Sequence, residues 1–135
     1  MGTIGEMGGE YEHGFDVLLD AVLNEPHKVK DIVTKNREFL VATNGAGENV
    51  LAWLAVENHV EGVRLLRSVG SPIPAFALYE AIQAGNTEMI ILLLELGAEI
   101  DIELCRSSLY NPIFGLNKKQ RRLIESYFQQ YGYKI

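Results

Sequence analysis

One thiol and three imidazoles carry the strongest intrinsic chemistry in this chain: Cys105, His13, His27 and His59. A cysteine becomes a nucleophile when a nearby imidazole takes its proton, the chemistry of a minimal hydrolase or transferase. No local motif surrounds Cys105, so a buried or half-buried helix cysteine is the plainer reading, and Cys105 with His59 or His13 is the enzymatic alternative. The histidines lack the i, i+4 spacing of a helical metal pair. Glu95, Glu99, Asp101 and Glu103 could attract calcium, but no Asp-x-Asp-x-Asp-Gly loop holds them and they read as a solvated loop. The glycines of Met1 to Gly14 and of Asn44-Gly45-Ala46-Gly47 have no Lys-Ser or Lys-Thr behind them, so they form no phosphate cradle. Lys118-Lys119-Gln120-Arg121-Arg122 could touch RNA or serve as a localisation signal. At helical spacing it reads instead as a polar face whose long stems cover an apolar end. The expectation is no catalytic set, no metal and no cofactor.

Those residues need elements to hold them, and composition says that a core is available. With 47% hydrophobic residues the 135-residue chain is rich enough to fold as one domain. The expected division is a flexible Gly/Glu-rich tail over 1–14 and a single domain over 15–135. The longest apolar run, Met89 to Leu94, is far short of the roughly 20 residues that span a bilayer, so no membrane segment is expected. The first fourteen residues have no basic or apolar region of the secretory kind, and a lone cysteine suits a reducing compartment; a cytoplasmic protein is expected.

Charge is divided along the chain. Residues 1–103 carry a net charge of -11 and residues 104–135 a net +5. An acidic body disfavours nucleic acid, whose phosphates need Lys and Arg, and favours a protein partner with a basic surface.

Apolar spacing then divides the chain into helix pairs. Leu51, Leu54 and Ala55 form one i, i+3, i+4 stripe, and Val63, Leu65, Leu66 and Val69 form another beyond a break at Asn58-His59. The segment Asn49 to Gly70 is echoed by Phe76 to Gly97, with Leu51 matching Leu78, Glu61 matching Glu88 and Gly70 matching Gly97, each 27 residues apart. The second break falls at Gly85-Asn86, where the left-handed backbone that ends a helix is tolerated. Thirty-three residues before Leu51 stands Leu18, followed by Ala21, Val22, Ile32 and Val33. Thirty-five residues after Leu78 stands Ile113, followed by a helix over Asn117 to Tyr131. Four units are therefore expected, the last a degenerate cap. A period in this range means stacked supersecondary units.

The residues resemble the ankyrin-repeat family, whose unit of about 33 residues opens with Thr-Pro-Leu-His-x-Ala. Asn58-His59-Val60-Glu61 and Gly85-Asn86-Thr87-Glu88 occupy the family's Gly-His-x-Glu place, Gly97-Ala98-Glu99-Ile100-Asp101 matches the repeat end, and Asn111-Pro112-Ile113-Phe114 echoes the opening. The resemblance covers roughly residues 16 to 132. It implies an all-α helix-turn-helix solenoid with short or missing β-hairpin fingers; a plain helical solenoid is the structural alternative. The interval from Leu51 to Leu78 is six residues short of the norm, where a finger would project, and Pro72 and Pro74 oppose sheet pairing there. Asn49-Val50-Leu51-Ala52 stands where Thr-Pro-Leu-His would, so the bonds that Thr and His supply must be replaced. His59 falls on the family's structural turn histidine.

The resemblance also implies a binding mode, in which loop tips and exposed first-helix positions form a concave face. Carried over position by position, the partner-binding residues are Asp20, Asn24, Glu48, Trp53, Val56, Glu57, Tyr79, Glu80 and Gln83. Trp53, the single tryptophan, is open to two readings, interface anchor or core residue. The expected function is binding of one protein partner through this acidic face without catalysis, with an immunity or antitoxin-type inhibitor of a toxin as the specific form. A structural adaptor or self-associating scaffold is the alternative, and a monomer or weak self-association is expected.

Overall fold

The computed structural model describes residues 13–135. It is built of helices α1 (His13–Asn24), α2 (Val29–Lys35), α3 (Val50–Val56), α4 (Val60–Ser68), α5 (Ala75–Gln83), α6 (Thr87–Glu95), α7 (Ile102–Tyr110) and α8 (Lys118–Gln130). Short 3-10 turns lie at Pro26–Lys28, Arg37–Leu40 and Pro112–Phe114. Among the described residues the β-structure is confined to isolated bridging at Thr43, Asn44 and Asn49, with Thr43 antiparallel to Asn49. The all-α repeat architecture and the short or missing fingers are thus observed. Most of the expected tail lies outside the described residues, and α1 begins two residues inside its expected end.

The chain's contacts sort into two compact units, Met1–Pro72 and Ile73–Ile135. In the first, α1 packs on α2, α3 and α4, and α3 packs on α4. Leu18 and Leu51 are fully buried, as are Phe15, Leu54, Val63 and Leu66. Each apolar side chain of this size contributes roughly 1.5–3 kcal/mol when removed from water, so the stripes seen in sequence are what hold the helix pairs together. The Asn58-His59 break is observed: Asn58 has φ +58° and the His59 Nδ1 accepts a hydrogen bond from the Gly62 N–H at 2.9 Å, capping α4. Asn49 supplies hydrogen bonds of its own where the Thr and His of the family's opening are absent. Its Oδ1 accepts from the Ala52 N–H at 2.9 Å, and its amide donates to the carbonyls of Leu40 and Pro72, each at 3.3 Å.

In the second unit α5 packs on both α6 and α7, and α6 packs on α8. This corrects the expected fourth unit. Its first helix is Ile102–Tyr110, not a helix opening at Asn111-Pro112-Ile113-Phe114, which forms the connection to α8. The Asp101 carboxylate caps α7 by accepting from the Leu104 N–H at 3.1 Å, and Ile113, expected in the core, is 79% exposed. Cys105 takes the core place and is fully buried. The equivalent positions are therefore Leu51, Leu78 and Cys105, at a constant interval of 27, and the longer 33-residue step from Leu18 to Leu51 is the exception. The short link beside Pro72 and Pro74 is not a solitary clipped finger, because Leu96 to Asp101 joins its helices as briefly.

Candidate interaction surface

Three of the four residues with intrinsic chemistry, Cys105, His59 and His13, are engaged in the fold, and His27 is exposed. Burial, and next the Asp101 charge, push the Cys105 thiol up to about 12, which removes the thiolate a nucleophile needs. His59 has its Nδ1 lone pair occupied by the α4 cap, and His13 meets Phe39 edge-on with ring centroids 6.2 Å apart. Of the acidic run, Asp101 caps α7 and Glu103 reaches Arg106 at 3.4 Å. Among the described residues no group of three or more His, Cys, Asp or Glu is placed to hold a metal. Arg121, from the basic cluster, donates to the Leu116 carbonyl at 2.6 Å, and Asn117 with Gln120 forms a reciprocal cap on α8. Among the described residues no helix is long and apolar enough to cross a membrane.

The surface positions divide between the two units. In the first, Asp20, Asn24, Val56 and Glu57 are exposed, Glu48 is half-buried, and Trp53 is half-buried rather than wholly in the core or wholly in solvent. The Asn24 amide donates to the Asp20 carboxylate at 2.7 Å across one turn of α1. Glu48 stands at a turn built by Asn44, whose Oδ1 accepts from the Ala46 and Glu48 N–H groups at 3.0 Å while its amide donates to the Glu48 carboxylate at 2.9 Å. These carboxylates are thus held in place before any partner arrives. Leu23 and Val56, 33 residues apart on α1 and α3, leave 45% and 46% of their surface open. In the second unit Tyr79, Glu80 and Gln83 are half-buried on α5, and the Gln83 amide donates to the Ser108 hydroxyl at 3.0 Å.

In the first unit Lys and Arg are confined to the second helix of each pair and the residues beside it. The first helix of each of the first three pairs, α1, α3 and α5, contains no lysine or arginine. All the cations before Arg106 lie on or beside α2 and α4: Lys28, Lys30, Lys35, Arg37, Arg64 and Arg67. The first-helix positions are thus free of the cations that would repel a basic partner.

With the helix pairs, caps and burial established, the comparison with known families is decisive at one stretch: residues 76–103 match the family model of the ankyrin repeat. Residues 76–103 of the chain form an ankyrin repeat. The matched segment covers α5, α6 and the link into α7, so the ankyrin repeat ends where Asp101 caps the next helix. No curated protein and no solved structure gives a match. The ankyrin repeat is a protein-interaction unit, and its first-helix positions are where the candidate residues stand.

Two surface positions are absent from the expected set because the fourth unit was expected to open at Asn111 and instead opens with α7. Ser107 and Tyr110 lie 27 residues after Glu80 and Gln83 and extend the same positions of the repeat; Tyr110 is 48% exposed and donates its hydroxyl to the Glu125 carboxylate. Continuing the Leu51 to Leu78 interval once more would have found them.

Proposed function

We propose that this protein acts without catalysis, by binding one protein partner with a basic surface. The observation that carries the reading is the absence of Lys and Arg from α1, α3 and α5, together with carboxylates at Asp20, Glu48, Glu57 and Glu80. In the first unit Asp20, Glu48 and Glu57 flank Leu23, Trp53 and Val56, a pairing of apolar contact and charge that suits a partner whose basic residues surround an apolar centre. Asn24 fixes Asp20, and Val56 supplies exposed apolar area. In the second unit Tyr79, Glu80 and Gln83 serve in the same way. Occlusion of a basic toxin surface, as an immunity or antitoxin-type inhibitor in the cytoplasm, is the specific form proposed.

Affinity capture on the tagged chain tests this. One stoichiometric basic partner, released by raised salt and lost with Glu57→Lys, is the expected result; a partner retained unchanged by that substitution refutes the acidic surface. A self-associating scaffold is the second reading, favoured by exposed Leu104 and Ile113 in the second unit. Sedimentation showing a monomer at high concentration refutes it.

A further inference from the structure

The segregation of charge leaves a cationic groove in the first unit that the acidic positions do not use. It has a volume of about 470 Å³ and runs between α2 with its following 3-10 turn and the C-terminal end of α4. Lys30 and Arg37 stand exposed on one side, Val33 and Val69 form its apolar floor, and Gly70 closes it. The neighbouring cations are already neutralised, Lys28 by Glu25 at 2.7 Å and Lys35 by Asp31 at 3.1 Å. Among the described residues Lys30 and Arg37 have no ion-pair partner.

Arg37 is placed here by a missing side chain. Gly70 has φ +98°, and a Cβ on it would lie 2.9 Å from the Arg37 guanidinium. The guanidinium thus sits over the end of α4, where the helix dipole amounts to about half a negative charge. Two full positive charges outweigh that, so the groove remains cationic by more than one charge.

The polar groups around it distinguish between anions. The Thr34 hydroxyl donates to the Lys30 carbonyl at 2.7 Å and the Ser68 hydroxyl to the Leu65 carbonyl at 2.6 Å, so each offers only an acceptor to a ligand. The N–H groups of Val69 and Gly70 are spent on Leu65 and Arg67. A bare phosphate would meet two cations and two hydroxyl oxygens that repel it. A peptide meets the same groups differently: its carboxylates reach Lys30 and Arg37, its backbone N–H groups donate to Thr34 and Ser68, and an apolar side chain covers Val33 and Val69.

We propose that this groove binds an acidic peptide segment of a protein partner, in which Asp or Glu alternates with apolar residues. The site lies on the second helices of the first unit and does not depend on the acidic first-helix surface. The chain's net charge of -6 opposes an acidic ligand overall, so binding must come from the groove itself.

The test is an amide NMR titration of the full chain with a short peptide of alternating Glu and Leu, beside a Lys-Leu peptide and inorganic phosphate. The expected result is movement of the Thr34, Ser68, Val69 and Gly70 amides with the Glu-Leu peptide alone. Affinity should fall about tenfold in Lys30→Gln/Arg37→Gln, two exposed substitutions that leave the fold intact, and should be unchanged in Glu57→Lys. No movement, or equal affinity in the double variant, overturns the proposal. Phosphate moving the same amides as strongly as the peptide overturns it too, since the groove would then be a simple anion site.

Discussion

Asn49 donates from its side chain to the Pro72 carbonyl at 3.3 Å, joining the start of α3 to the link that leaves the first unit. The same side chain caps α3 and holds Leu40, and it is 4% exposed. Asn49→Ala removes a cap worth about 1 kcal/mol and takes a donor from the buried Leu40 carbonyl, while the Pro72 carbonyl keeps the Ser71 hydroxyl at 3.0 Å, so a loss of roughly 2 kcal/mol is expected in denaturant unfolding. Asn49→Asp keeps the cap acceptor and loses both donors. Its stability should stay well below that of the wild type; full recovery would show that the bonds to Leu40 and Pro72 contribute nothing.

The His59 cap depends on the bareness of Gly62. A Cβ there would stand 2.7 Å from the His59 Nδ1 and 2.9 Å from the Leu54 Cδ1. Ala in place of Gly ordinarily gains up to about 1 kcal/mol in a helix, but overpacking costs about 1–3 kcal/mol, so Gly62→Ala should destabilise. Adding His59→Ala relieves the closer clash while forfeiting the cap. Thermal unfolding of the double variant should therefore show less than the sum of the two single losses.

Cys105 makes stability depend on alkaline pH. Burial pushes its thiol up to about 12 from 9.0, so above pH 9 the unfolded chain releases a proton that the folded chain retains. The unfolded state then binds fewer protons, and stability falls with rising pH by up to about 1.4 kcal/mol per unit until the folded thiol ionises. The Tyr110 hydroxyl is also raised, chiefly by its hydrogen bond to Glu125, from an ordinary value of 10.0, so it adds a slope of the same sign that grows toward pH 10, and the cysteine dominates near pH 9. Urea unfolding there should lose most of its pH slope in Cys105→Ala. A thiol reagent at neutral pH should modify the native chain only as fast as it opens.

The helix pairs were legible because their buried stripes are strict: Leu18, Ala21 and Val22, then Leu51, Leu54 and Ala55, then Leu78, Ala81 and Ile82. The next stripe was obscured by chemistry. Cys105, Ser108 and Leu109 hold the same positions in α7, but a thiol and a hydroxyl weaken the apolar signal, and Asn111-Pro112 imitates a helix start. Missing α7 hid two consequences, the Ser108 hydroxyl that takes up the Gln83 amide and the exposed Tyr110. Trp53 is half-buried, so its indole offers area to helix packing and to the surface together. The groove of Lys30 and Arg37 was illegible because its other wall, at Ser68 to Gly70, is distant in sequence.

In the proposed function, carboxylates on a cation-free set of first-helix positions recruit a basic partner. Association kinetics with the captured partner test this most directly, comparing the wild type with Glu57→Lys and with Lys119→Glu as a control away from those positions. About a tenfold slower association is expected for Glu57→Lys at low salt, a difference that shrinks as salt rises, with no slowing for Lys119→Glu. Equal association rates for the wild type and Glu57→Lys at low salt would contradict it.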